Sequence, residues 1–383
     1  MGQSIRLGRI AGIPIGLNWS VLFIFFLFAW ELADLVLPED HPHDSVAVYW
    51  ATGIVTTILL FASLLGHEVA HAVVAKRNGI GVRRITLWLF GGVSELESDA
   101  LTPGADFRIA VVGPLTSFAL AGLFGVLGLL LHQVGDGGGV VASALGWLAW
   151  INLFLGGFNL IPAAPLDGGR VLRAVLWKRN GDRIRAATSA ARVGQAFGYI
   201  LVGLGVLEFF TVSVLGLWFV LLGWFLLSAA RGEERAAVMR DSLADVHVRD
   251  IMTSHPTTFD PSMTVGDLFE NHFFGYHFSS YPLAGEHGRV EGLTSMRRLR
   301  HVPPHLRATT RLIETASPVS EVPAGSPGQP VAELLQRMEA SPDGRAIVLD
   351  DSGGLVGIVS PSDVARYVQV SMLRSQGRSS PRG

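Results

Sequence analysis

The sequence predicts a polytopic α-helical membrane region of about six transmembrane helices, followed by a soluble α/β region built from two repeats. Three observations carry this prediction. Charge is unevenly spread: 29 of the first 231 residues are Asp, Glu, Lys or Arg, against 33 of the remaining 152. An ordinary soluble domain is about one-quarter charged, so the first region has too little charge to cover a water-exposed surface. Six long apolar runs interrupt that region, and after Ser242 a strand-and-helix pattern recurs at an offset of 65 residues.

The runs are Ile10 to Trp30, Ser45 to Gly66, Ile109 to Gly135, Gly137 to Leu166, Ala186 to Leu207 (with Arg192 inside it) and Phe209 to Ala230. Each is long enough to cross roughly 30 Å of hydrocarbon as a helix. The first could instead be a signal peptide, but its apolar run is long and lacks a small-residue cleavage site, which favours a retained anchor. Orientation follows from Lys and Arg. The loops at 31–49, near 132–141 and near 208–213 hold none, and all fifteen basic residues of the first region lie on the other side. Both termini are therefore expected in the cytoplasm of a multi-pass plasma-membrane protein.

Composition excludes several classes. There is no cysteine among the 383 residues, which removes disulfide scaffolds, thiolate metal sites and thiol catalysis. Net charge is −2, so no basic field argues for nucleic acid as a partner.

The second run ends in His67-Glu68-Val69-Ala70-His71. On a helix, positions i and i+4 share a face, so both imidazoles can reach one metal ion, with Glu68 close enough to activate water. Ionisable groups in an apolar helix are costly and usually functional. An open catalytic zinc site needs a third protein ligand. The fourth run closes with Asn159-Leu160-Ile161-Pro162-Ala163-Ala164-Pro165-Leu166-Asp167-Gly168-Gly169-Arg170. Helix rise puts His67 about 26 Å in from the outer side, and Asp167 closes the cytoplasmic end of its own run. The two depths match. The alternative for Asp167 is an ordinary helix-end carboxylate.

These two motifs together resemble the site-2 protease family of intramembrane zinc metalloproteases, over about residues 1–231. The resemblance implies that His67, His71 and Asp167 ligate one zinc ion and that Glu68 is the general base. It implies that Asn159 contacts the scissile carbonyl or its oxyanion; a helix-packing hydrogen bond is the alternative. It also implies a short membrane-associated β-sheet at Val82 to Val93. There Leu87, Leu89, Gly91 and Gly92 would present an edge to an unwound substrate; a plain cytoplasmic hairpin is the alternative. Gly113-Pro114-Leu115-Thr116-Ser117 resembles the family's Gly-Pro motif. Many members carry Asn where Ser117 stands, so Ser117 is read as packing. Substrates implied are single-span membrane proteins in the lipid bilayer: transcription-factor precursors, anti-sigma factors or signal-peptide remnants.

In the soluble region, Val290 to Leu299 aligns with Leu355 to Val364. Tandem copies of this size resemble a CBS domain pair, with repeats at 242–310 and 311–372 and a disordered tail at 373–383. The resemblance implies an adenine nucleotide (ATP, ADP or AMP) near Gly357, Ser360 and Asp363, and a homodimer formed through the repeats. Helix capping by Ser360 and Asp363 is the alternative. In the first copy Arg298 stands in place of the aspartate. Two rival functions remain at this point: a CBS-regulated transporter or channel, and a catalytically inactive membrane-binding relative.

Overall fold

The computed structural model describes residues 4–88, 91–133, 139–243, 245–271, 280–285, 289–341 and 343–378. It divides into two compact units, Met1–Ala237 and Val238–Gly383.

The first unit opens with a hairpin of β1 (Ser4–Ile10) and β2 (Ile13–Asn18). The first apolar run therefore starts as strand, which corrects the expected span from Ile10. The cause is local. Ile13, Ile15 and Leu17 alternate with Pro14 and Gly16, a period of two. Ala11 and Gly12 both take positive φ, at 51° and 75°, which suits a two-residue hairpin turn. Ile13 and Ile15 are buried with Ile85 and Ala72. Strand β3 (Val82–Trp88) runs parallel to β2, and β4 (Gly91–Leu96) runs antiparallel to β3. The sheet order is β1-β2-β3-β4, so β4 is an edge. A short sheet was expected here, but residues 4–18 double its width.

Helix α1 (Ser20–Glu31) continues through a π-helical turn, Leu32–Val36, into α2 (Leu37–Asp40). Then come α3 (Val46–Arg77), α4 (Pro103–His132), α5 (Gly139–Asn159), α6 (Asp167–Asn180), α7 (Arg183–Thr211) and α8 (Gly216–Ser242). Among the described residues five segments are long and apolar enough to cross a membrane: Ser20–Asp40, α3, α4, α5 and α7. The expected sixth span is shorter than the sequence suggested. Phe209 to Thr211 complete α7, leaving α8 only Gly216 to Ala230 before its first charge, about 22 Å by helix rise.

Burial in this unit suits a hydrocarbon surround. Leu129, Phe154, Ile200, Trp218 and Leu221 face outward, while Thr57, Ser63, His67, His71, Ser117 and Asn152 are buried. With no water to satisfy them, polar side chains in a bilayer turn inward. Helices α7 and α8 meet backbone to backbone. A Cβ at Gly205 would stand 2.6 Å from the Gly216 carbonyl oxygen, and one at Gly223 would stand 2.8 Å from that of Gly198. Small residues allow such close approach between membrane helices.

The second unit holds two small sheets, built from β5 (Thr253–Ser254), β6 (Ser280–Ala284), β7 (Val290–Ser295), β8 (Ser317–Pro318), β9 (Ala324–Gly325), β10 (Ala346–Leu349) and β11 (Leu355–Val359). Its helices are α9 (Val248–Ile251), α10 (Val265–Asn271), α11 (Met296–Leu299), α12 (Leu312–Thr315), α13 (Val331–Ala340) and α14 (Pro361–Arg378). The repeat alignment corresponds to β7–α11 and β11–α14. The sheets, however, are β6-β7-β8 and β5-β11-β10-β9. Each repeat lends its first short strand to the other repeat's sheet, so a boundary at 310/311 divides the chain but not the sheets. Residues 373–378, expected as tail, belong to α14; 379–383 lie outside the described residues.

Candidate metal centre

Helix α3 places His67 and His71 one turn apart on its buried face, with ring centroids 4.8 Å apart. Asp167 is the first residue of α6 and follows the proline-broken segment after Asn159. The elements bring the three expected ligands together. The Nε2 atoms of His67 and His71 each lie 3.1 Å from Oδ2 of Asp167 and 3.1 Å from each other. Among the described residues this is the one group of three or more His or acidic side chains with metal-ligand spacing.

The far side of each imidazole decides what the near side can do. His71 Nδ1 donates to the backbone carbonyl of Ile109 at 2.5 Å, and His67 Nδ1 bonds Oγ of Ser117 at 2.9 Å. Both partners lie on α4. The Ile109 carbonyl fixes Nδ1–H on His71 and leaves its Nε2 as a bare lone pair, and the Ser117 hydroxyl can accept the same bond from His67, the usual arrangement behind a metal-bound histidine. Three lone-pair atoms then face one point. Ligand atoms about 2.0–2.2 Å from a tetrahedral ion would lie roughly 3.3 Å apart, close to the spacing seen. The donor set therefore fits zinc.

Two residues support this centre that sequence reasoning missed or misread. Ser117, expected only to pack, is fully buried and holds His67. Gly113 lies against both rings: a Cβ there would stand 2.1 Å from His71 Nε2 and 2.6 Å from His67 Nε2. The spacing Gly113 to Ser117, one turn of α4, was the available signal.

Glu68 turns from the same helix toward the sheet. Ser94 of β4 donates its hydroxyl to Glu68 Oε2 at 2.9 Å. A Cβ at Gly92 would fall 2.2 Å from Glu68 Cγ, so a side chain there would displace Glu68 where β4 crosses the carboxylate. Gly91 and Gly92 sit on the edge strand as expected. Leu87 does not: it is buried in β3, whose ladder is shared between β2 and β4, so it has no free edge to offer. Leu89 lies outside the described residues. Asn159 ends α5 half-buried, and among the described residues its side chain has no hydrogen-bond partner. Asn152 is buried with Nδ2 donating to Leu148 and Oδ1 unpaired.

In the second unit, Ser360 precedes α14 as its cap. Its backbone N–H and its hydroxyl both donate to Asp363 Oδ2, at 3.0 and 2.6 Å. The other carboxylate oxygen accepts from Thr253 at 3.0 Å and from Arg366. Gly357 lies in β11 opposite Ser254. The Asp363 side chain reaches back to the backbone N–H of the cap residue, which is one half of a capping box, and both carboxylate oxygens are engaged.

A multi-span membrane fold with a buried His/His/Asp centre beside a glutamate defines a zinc metalloprotease of the site-2 type. Sequence comparison agrees. The description Peptidase family M50 matches residues 55–137 and 136–202, and CBS domain matches 248–305 and 318–370. The chain is 45% identical to Rip3, a candidate zinc metalloprotease of Mycobacterium tuberculosis (strain H37Rv), over 97% of this chain and 95% of that one. It is 31% identical to the zinc metalloprotease MJ0392 of Methanocaldococcus jannaschii, over 98% and 99%. A solved site-2 protease from the same archaeon is 32% identical, covering 61% of this chain and 96% of that one, at a TM-score of 0.42. The chain belongs to peptidase family M50 and carries a C-terminal CBS domain pair.

Proposed function

We propose that this chain hydrolyses a peptide bond in or near the transmembrane segment of a single-span membrane protein, with His67, His71 and Asp167 holding one zinc ion. One observation carries the reading: the convergence of His67 Nε2, His71 Nε2 and Asp167 Oδ2 at 3.1 Å, next in sequence to Glu68. Zinc held there supplies Lewis acidity toward water and toward the scissile carbonyl. Glu68 accepts a proton from the attacking water and returns it to the leaving amine. Asn159, with its amide unengaged, donates to the developing oxyanion. The substrate carbonyl is exposed only once its helix unwinds. The free edge of β4, at Gly91 and Gly92, can take the unwound segment as an added strand.

The basic residues orient both termini to the cytoplasm of the plasma membrane, with the metal centre in the cytoplasmic half. Transcription-factor precursors, anti-sigma factors and signal-peptide remnants fit as substrates. An adenine-nucleotide role for the CBS pair stands on Gly357, Ser360 and Asp363, and would require Asp363 to give up Thr253 or Arg366. No heat from ATP, ADP or AMP in calorimetry of the whole chain would remove it. A homodimer through the CBS pair is tested by light scattering in detergent.

The deciding experiment compares membrane proteomes of cells carrying the wild-type chain and Glu68→Gln. An uncut single-span protein should accumulate in the variant, which should still bind zinc. Unchanged proteomes, or transport without hydrolysis, would favour the channel or inactive-relative readings.

A further inference from the structure

We propose that the buried ion pair between Asp106 and Arg173 positions the third zinc ligand, Asp167. Asp106 lies in the first turn of α4, three residues before Ile109, and is 1% exposed. Its two carboxylate oxygens accept from the Arg173 fork: Nε to Oδ2 at 2.8 Å and Nη2 to Oδ1 at 2.7 Å. Arg170 adds a longer contact to Oδ1 at 3.5 Å. Both arginines lie on α6, whose first residue is Asp167.

The pair thus joins the two helices whose relation fixes the metal centre. Helix α4 orients both imidazoles through the Ile109 carbonyl and the Ser117 hydroxyl. Helix α6 carries the carboxylate that meets them. Asp167, Arg170 and Arg173 follow at three-residue spacing, so they trace a shallow spiral of about 120° around α6, each step joining neighbours. A helix free to rotate about its axis would swing Asp167 away from His67 and His71. A planar guanidinium clamped at both oxygens of a buried carboxylate fixes that rotation, where a single contact would not. A buried ion pair is a poor source of net stability and is often replaced by an apolar pair without loss. What such a replacement loses is the fixed geometry. Asp106 and Arg173 are therefore positioning residues. Neither belongs to the candidate ligand group.

The inference rests on the zinc reading above, and the test separates the two. The whole chain in detergent is loaded with zinc, and its affinity is read by chelator competition; a cobalt(II)-loaded sample gives the visible spectrum of the centre. Wild type binding no zinc would end both the zinc reading and this inference. The double variant Asp106→Leu with Arg173→Met replaces the charges by apolar groups. It is expected to melt with the wild type, to bind zinc roughly 10- to 100-fold more weakly, and to show a changed cobalt spectrum. Arg173→Lys keeps the charge and loses the fork; a smaller weakening in the same direction is expected, and it decides the matter should the double variant not fold. Wild-type zinc affinity and cobalt spectrum in these folded variants would overturn the proposal.

Discussion

Gly113 and His71 are in such close contact that one added carbon on Gly113 would stand 2.1 Å from the Nε2 atom of His71. The same carbon would crowd His67 at 2.6 Å. Gly113→Ala is therefore expected to displace the rings rather than to unfold α4, because alanine favours a helix more than glycine does. Zinc affinity should drop by roughly 100-fold, while detergent-solubilised protein keeps its helical circular dichroism. Near-normal zinc binding would show that the rings have room to move.

Ser117→Ala removes the hydrogen bond that holds His67 by its Nδ1. An outer partner of this kind is worth roughly 10- to 100-fold in metal affinity. Ser117→Asn offers the ring a new partner and should recover part of that loss. Chelator competition measures both; equal zinc affinity in wild type and Ser117→Ala would return Ser117 to a packing role.

Ser94→Ala frees Glu68 without touching a metal ligand. Zinc content should stay at the wild-type level, while turnover of the protein that accumulates in Glu68→Gln cells falls roughly 10- to 100-fold through misplacement of the Glu68 carboxylate. Ser94→Thr keeps the hydroxyl and should restore most of the rate. A rate loss accompanied by zinc loss would point to a disturbed centre instead.

The CBS pair is expected to have its own acid sensitivity. Asp343 accepts from Ser317 at 2.9 Å and pairs with Arg297 at 3.0 Å and Arg298 at 3.2 Å. Burial pushes its carboxyl up, but the Ser317 hydroxyl and the two arginines outweigh burial and hold it below the usual carboxylate range. A depressed carboxyl stabilises the fold fully above its unfolded value, about pH 4, and loses that contribution as pH falls through the folded value. Asp343→Asn should lower stability by about 2 kcal/mol at neutral pH. The difference from wild type should shrink below pH 4. Amide exchange of β7 and β10 in the whole chain reads it; a pH-independent difference would refute the linkage.

Much of this was visible in the sequence, for a physical reason. The candidate metal ligands stand out because His67, His71 and Asp167 are charged or polar groups set in apolar runs, where hydropathy makes them conspicuous. Their supports were hidden for the opposite reason. Ser117 and Gly113 are small residues of a kind that membrane helices use everywhere for packing, and only the fold brings them beneath the imidazoles. The N-terminal hairpin was hidden because hydropathy sums over Ile13, Ile15 and Leu17 without asking whether their period is two or 3.6. Its parallel partner, β3, lies far along the chain and leaves no local mark on β2. The Ser360–Asp363 pattern was ambiguous because one hydroxyl-to-carboxylate spacing serves both a helix cap and a ribose contact.

The exchange of β5 and β8 between the two CBS sheets has a consequence for cooperativity. Thr253 and Ser254 pair with Ile358 and Gly357, and Ser317 and Pro318 pair with Leu293 and Gly292. Covalent order and spatial order are interleaved, so neither repeat can melt without stripping a strand from the other. Thermal unfolding of this region should be a single transition. A chain cut between the repeats would leave two sheets with raw edges, prone to pair with whatever strand came within reach.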